Sequence, residues 1–257
     1  MSVNVSGVAP AFSGDDWVLF DETGTISFDK TVMAYIWLVG GGCDGVDGYT
    51  DARGFYHGGE GGRGGNVYKF GRIKLRKNTD YSITVGNVND PSGTSFKMGQ
   101  TTFSSSQIGK TCALGGAGGI INSTMGAVIP ARGKRGVRTP YGFVGSSGSG
   151  GVCAAKINGM RISTGIEKGG KGAGGSRQYI PRNLDWESIK ANIPDVDAVN
   201  YGCGGGGNTY CVGLDDTDVK SHGMKGCVII QYQVLENEDE NSPECSIHYW
   251  NNGGGSK

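Results

Sequence analysis

His57, His222 and His248 are the only imidazoles in the chain, and a general base for neutral pH is sought there first. Asp44, Asp51 and many serines could complete a Ser-His-Asp arrangement. No G-x-S-x-G elbow stands between a strand and a helix, however. His57 lies in FYHGGE, flanked by glycine, where a surface or packing role is expected. Asp215, Asp216 and Asp218 in GLDDTDVKSHG, and Asp44, Asp47 and Asp51 upstream, could gather around calcium. Neither set has the EF-hand spacing or its closing glutamate, so solvated turns are expected. Glu60, Glu167, Asp185 and Glu187 could form a paired-carboxylate site for glycan hydrolysis, yet no pair has a context that singles it out. The chain is therefore read as a non-enzyme with no catalytic residue, no metal and no cofactor.

Gly40, Gly42 and Gly45 satisfy G-x-G-x-x-G directly after VMAYIWLV. A dinucleotide site requires an amphipathic helix and a second parallel strand after that turn. The following VDGYTDARGFYHGGEGGRGG has no helical periodicity, so these glycines are expected to serve another purpose. The basic cluster ARGKRGVR (131–138) could touch phosphate, teichoic acid or nucleic acid. The whole chain balances 24 Lys and Arg against 24 Asp and Glu, which favours a solvated loop and gives no electrostatic case for nucleic acid. Tyr49, Phe55, Tyr56 and His57 fall between glycine blocks, as do Tyr141, Phe143 and Tyr210. Loop aromatics on a rigid scaffold suit stacking on sugar rings, or they can close a core; both readings stay open.

The elements that must position these residues read as β-structure. WVLF (17–20), TISF (25–28), NVYKFGRIKL (66–75) and DYSITVG (80–86) are strands by composition or alternation. Gly71 marks a bulge, and TSFKM and TTFSSS form a hairpin pair. VMAYIWLV (32–39) is apolar on both faces and predicts a central, covered strand. GCVIIQYQVL (226–235) closes the series. RNLDWESIKAN (182–192), between Pro181 and Pro194, is the one short α-helix expected. Polar stretches between the later glycine blocks read as loops. Residues 236–257 read as an acidic, then irregular tail, either disordered or an attachment segment.

Glycine is the outlier, with 50 in 257 residues against an average of about 7%. Collagen would need a strict three-residue register and much proline, but there are seven prolines and no such register. Flexible linkers are poor in apolar residues, whereas here glycine blocks alternate with strands. Glycine can instead form extended left-handed helices of about three residues per turn that keep their N–H donors. Only glycine lets such axes approach closely enough to bond one another. The blocks expected to do so contain Gly40, Gly41 and Gly42; Gly115, Gly116, Gly118 and Gly119; Gly169, Gly170, Gly174 and Gly175; and Gly204, Gly205, Gly206 and Gly207. Gly116→Val should then clash and leave the protein insoluble.

The order ISF, AYIWLVGGGCDG, HGGEGGRGGNVYKF, LRKNTDYSITVG, several GGxGG blocks, then GGGGN and GMKGCVIIQY resembles the glycine-rich domain of bacteriophage tail fibres and virion appendages. It is also similar to the glycine-rich region of anaplastic lymphoma kinase-type receptors. The resemblance covers roughly residues 20–235. It implies a tumour-necrosis-factor-like β-sandwich over residues 1–235, with an inserted bundle of polyglycine II-type helices at about 114–210. It further implies a tail-appendage or tip protein that takes part in host attachment, made in the host cytoplasm and carried in the virion. Its partners would be other virion proteins, a bacterial surface polysaccharide or protein, and further copies of itself, with a trimer as the expected state. A purely architectural decoration and a bacterial adhesion module are the alternatives. The receptors' disulfide pattern does not map onto Cys43, Cys112, Cys153, Cys203, Cys211, Cys227 and Cys245. Small, semi-buried thiols are expected; a Cys203–Cys211 disulfide is the alternative, which spacing does not establish. No charged start with an apolar core opens the chain, so no signal peptide is expected. The longest apolar run is far shorter than the about 20 residues of a membrane helix.

Overall fold

A computed structural model describes residues 3–105, 120–122, 126–128, 133–151, 153–157, 160–163, 169, 173–174, 198–207, 210–211, 221–235 and 250–251. All regular structure among these residues is β-strand. In chain order the strands are β1 (Val5–Gly7), β2 (Phe12–Ser13), β3 (Trp17–Phe20), β4 (Gly24–Phe28), β5 (Val32–Val39), β6 (Tyr49–Thr50) and β7 (Tyr56–His57). Then come β8 (Val67–Leu75), β9 (Tyr81–Thr84), β10 (Thr94–Met98), β11 (Thr101–Ser105), β12 (Ile120–Asn122), β13 (Gly126–Val128) and β14 (Val137–Arg138). The last are β15 (Phe143–Val144), β16 (Cys153–Ile157), β17 (Met160–Ser163), β18 (Tyr210–Cys211), β19 (Cys227–Val234) and β20 (Trp250–Asn251).

Two large antiparallel sheets share one core. The first has the order β1-β4-β9-β10-β11, and the second β2-β3-β19-β5-β8-β20. Strand side chains alternate between faces, so one face of each sheet supplies the core. Ile26, Phe28, Tyr81, Ile83, Phe96 and Phe103 come from the first sheet. Val18, Phe20, Ala34, Ile36, Leu38, Ile73, Val228 and Ile230 come from the second. Tyr81 and Phe96 stack with centroids 5.5 Å apart. The Tyr81 hydroxyl accepts the Arg76 N–H at 2.7 Å, satisfying the ring's polar end.

The second sheet is also covered on part of its other face. Leu19, Trp37, Val39, Cys227 and Ile229 are buried there with Val144 and Tyr201. This double cover explains why VMAYIWLV is apolar at nearly every position. Tyr35 is the exception, at 38% exposure. The Lys69 ammonium lies over both its ring and that of Trp37, at 4.4 and 4.7 Å.

The expected bulge is present. Ala34 pairs with Ile73 but Ile36 pairs with Phe70, so Gly71 and Arg72 together oppose Tyr35. The left-handed residue of the pair is Arg72, at φ 51°. Gly71 itself is not left-handed; a Cβ there would make a tight contact, 3.1 Å from the Tyr35 ring.

Several segments read as loops are strands. β12 pairs with β7 and β13, β14 with β15, and β16 with β17. The β16–β17 hairpin flanks Asn158-Gly159, a dipeptide that favours two-residue hairpin turns; that signal outweighs the polar composition. Within the 236–257 tail, Trp250 and Asn251 pair antiparallel with Lys69 and Tyr68. The helix expected at 182–192, and Gly115, Gly116, Gly118, Gly119, Gly170 and Gly175, lie outside the described residues. No helix among the described residues is long and apolar enough to cross a membrane.

Phe96→Ala should cost about 3–5 kcal/mol by emptying the center of the shared core. Urea unfolding monitored by tryptophan fluorescence would read this as a lower midpoint at unchanged slope.

Candidate functional site

Three glycine segments adjoin the second sheet at one end. Residues 40–46 continue from β5, while 58–65 lead into β8 and 221–226 into β19. Segments 145–151 and 202–207 lie among them. These five are joined by backbone hydrogen bonds that recur every third residue. Gly62 and Gly65 donate to Gly205 and Gly202, and Gly148 and Gly151 to Gly62 and Gly59, all at 2.7–2.9 Å. Cys43 and Val46 donate to Arg63 and Glu60, and Gly42 and Gly45 to Met224 and Ser221, at 2.9–3.0 Å. Gly204 and Gly207 donate to Ser146 and Ser149 at 2.8 Å, here in the parallel sense. A β-strand presents its side chains with a period of two; this network advances by three.

Segment 202–207 is the hub. It bonds to 40–46 through Gly205, to 58–65 through Gly62 and Gly65, and to 145–151 through Gly204 and Gly207. It reaches 221–226 through Met224, and Gly174 donates to the Gly204 carbonyl. Such contact on all sides leaves no volume for a side chain at the glycines that face another backbone. A Cβ on Gly204 would collide with the Gly62 carbonyl, one on Gly205 with that of Ser221, and one on Gly148 with that of Gly205. The network reaches beyond 114–210, since 40–46 and 58–65 are integral to it.

The side chains that do enter are small and carry hydrogen bonds. Ser146, Ser147, Ser149 and Ser221 are buried. Ser147 Oγ accepts the Gly64 N–H at 3.1 Å, Ser146 Oγ accepts that of Gly136 at 3.0 Å, and Ser221 Oγ donates to the Gly206 carbonyl. Each satisfies a backbone group that the close packing removes from water. Sequence reading missed these serines because the backbone group a serine hydroxyl meets is set by the fold, not by its local sequence. Cys43, Cys153, Cys203 and Cys227 are buried and form no disulfide. Cys203 is thus not bonded to Cys211, and its sulfur accepts the Ser146 N–H at 3.3 Å. Burial pushes the Cys203 and Cys227 thiols up from their ordinary range.

Two polar clamps fix the segments to the sheets. Asp21 Oδ2 accepts the Tyr201 hydroxyl at 3.0 Å and pairs with Lys225 Nζ at 3.0 Å, tying both to the end of β3. Burial, then the bond to Asp21, raises the Tyr201 phenol far above its usual value. Asp44 Oδ1 accepts the Gly223 N–H at 2.8 Å with His222 Nδ1 3.5 Å away, and Asp44 Oδ2 accepts Asn89 Nδ2 at 2.8 Å. The His222–Asp44 pair is therefore part of a clamp. The serine beside it, Ser221, is committed to Gly206. Among the described residues no group of three or more His, Cys, Asp or Glu could hold a metal ion. Asp215, Asp216, Asp218, Glu167, Asp185, Glu187 and His248 lie outside the described residues.

The seven aromatic candidates separate into two places. Segments 40–46, 145–151 and 202–207 all run away from the large sheets, toward β6, β16 and β18. At this far end β6 and β7 form a hairpin, β7 pairs with β12, and β16 pairs parallel with β18. Tyr49, Phe55, Tyr56, His57 and Tyr210 belong here. Asp51 builds the hairpin: its Oδ1 accepts the Arg53 and Phe55 N–H groups, each at 2.9 Å, and its Oδ2 meets His57 Nε2 at 3.1 Å. The Tyr49 ring lies on the His57 ring, with centroids 4.6 Å apart and planes 3° from parallel.

Tyr141 and Phe143 sit at the near end. Tyr141 packs with Phe12, Trp17 and Tyr201 at centroid distances of 5.2, 6.3 and 5.6 Å. Burial raises its phenol, so packing is its role. Phe143 carries the Arg135 guanidinium 5.7 Å from its ring centroid. The described part of the basic cluster is accordingly an edge of the glycine network: Lys134 accepts the Ser147 N–H at 3.0 Å, and Val137–Arg138 is β14.

No family model matches the chain, and no curated protein or solved structure matches it.

Gly205→Ala should destabilise the fold by about 3 kcal/mol or more, because the methyl meets immovable backbone. Gly99→Ala, at φ 58° with open space around it, should cost only about 1 kcal/mol. Thermal unfolding of both variants ranks crowding against backbone strain. The backbone N–H of Phe55, with His57, holds the Asp51 carboxyl below its usual range. A depressed carboxyl stabilises above its unfolded pKa, about 3.9, and stops doing so as pH falls through the lower folded value. The hairpin should thus be intact at pH 5 and loosen only below about pH 3.9, read from the Tyr49 and His57 ring resonances in NMR.

Proposed function

We propose that the chain is a non-enzymatic bacteriophage virion protein, a tail-appendage or tip component that takes part in attachment to the host surface. In this reading the two large sheets are a tumour-necrosis-factor-like sandwich. The glycine segments are polyglycine II-type helices, and the far-end sheets are the surface turned toward the host. The observation that carries it is the three-residue bonding period, which matches a three-residue-per-turn helix that retains its N–H groups. At about 3.1 Å rise per residue, seven residues from Gly40 to Val46 hold the far-end hairpin roughly 20 Å from the sheets. Mutual bonding among five segments makes that spacer stiff, and stiffness suits a part that presents a loop at a distance. Other virion proteins would hold the sandwich, and a homotrimer is the proposed assembly.

A second reading, an architectural decoration of tail or capsid, draws on Tyr141, whose ring is committed to the near-end cluster. Labelled, purified protein added to a panel of bacterial strains separates the two. Attachment predicts strain-specific labelling that disappears when surface glycans are stripped. Absence of labelling on every strain by a folded sample would overturn attachment and leave the architectural reading.

A further inference from the structure

Among the described residues of the far end, Tyr49 is the most exposed large hydrophobic one, at 54%. One face of its ring is covered by His57 in a parallel stack, so the exposure belongs to the opposite face and the ring edge. His57 is in turn held by Asp51, and Asp51 by the backbone N–H groups of Arg53 and Phe55. The cross-strand pairing of Tyr49 with His57 and of Thr50 with Tyr56 fixes the same hairpin from the backbone side. An aromatic face that is exposed and held still loses little side-chain entropy when something stacks on it. The hairpin therefore offers a flat aromatic face, with the Tyr49 hydroxyl on its edge.

We propose that the outer face of Tyr49 is a stacking platform for a pyranose ring. A sugar presents a patch of C–H groups on one face and hydroxyls around its rim. The first complements the electron-rich ring face, and the second stays in contact with water. His57 and Asp51 are positioning residues, which hold the ring and do not touch the ligand. This assignment rests on the attachment reading above and names the ligand class of that surface. It separates Tyr49 from the remaining aromatics: Tyr141 packs, and Phe55, Tyr56 and His57 support the hairpin.

The test is saturation-transfer NMR with the full-length protein and a panel of methyl pyranosides: glucose, galactose, mannose, N-acetylglucosamine and rhamnose. At least one should receive saturation on the ring C–H protons of a single face. Tyr49→Ala should weaken its binding by about tenfold or more, while Tyr49→Phe keeps it and Trp17→Phe, at the near end, leaves it unchanged. His57→Ala should weaken it less than Tyr49→Ala, and the Tyr49 resonances should broaden as the ring becomes mobile. Circular dichroism melting of each variant confirms that the fold survives. Binding by Tyr49→Ala equal to wild type, or no transfer to any sugar of the panel, overturns the platform. Cell labelling with the same proteins distinguishes the two claims. Labelling retained by Tyr49→Ala removes the platform and leaves attachment; sugar binding at Tyr49 without labelling of any strain removes attachment and leaves the platform.

Discussion

The architecture depends on how closely two polypeptide backbones can approach when neither has a side chain between them. At Gly62, Gly148, Gly204 and Gly205 the carbonyl of another segment stands where a Cβ would be. That proximity lets 202–207 bond to several neighbours at once. The hydrogen bonds are individually modest, about 1 kcal/mol net, and glycine loses more entropy on ordering than any other residue. The arrangement persists because segments 40–46, 58–65 and 221–226 run directly into or out of β5, β8 and β19, whose large hydrophobic core fixes their register.

Clamps at the near end convert that register into a rigid joint. Buried Thr94 donates to the Val39 carbonyl at 2.6 Å and accepts the Gly86 N–H at 3.0 Å, where β5 gives way to glycine. Asp44 binds Gly223 and Asn89 one turn further out, and Asp21 collects Tyr201 and Lys225 on the other side. Carboxylates suit these positions because each accepts from two donors that come from different segments. The buried cysteines fill the same narrow spaces as small apolar groups.

Much of the fold was legible because it rests on local alternation and composition. The apolar run of β5, the alternation of Tyr81 and Ile83, and the bulge at Gly71 all follow from strand physics. The density of glycine likewise announced close backbone approach. What remained hidden was set by partners far apart in sequence. Asp44 and His222 are separated by most of the chain, and nothing local marks them as a clamp. Tyr141 looked like a loop aromatic because its neighbours Phe12, Trp17 and Tyr201 are distant in sequence. The serines of GSSGSGG carried no signal, since the use of a serine hydroxyl depends on which N–H faces it. At Tyr49 and His57 the residue types suggested a surface, but their stack requires the hairpin that Asp51 builds.

The central claim is that the glycine segments are ordered by one another and not merely threaded between strands. Amide hydrogen exchange, residue by residue in the full-length protein, measures this directly. The account predicts that Gly62, Gly148, Gly204 and Gly205 exchange slowly, with protection comparable to the amides of Ile36 and Ile229 in the covered sheet. Exchange of these glycine amides at the rate of an unstructured peptide, while Ile36 and Ile229 stay protected, would contradict it.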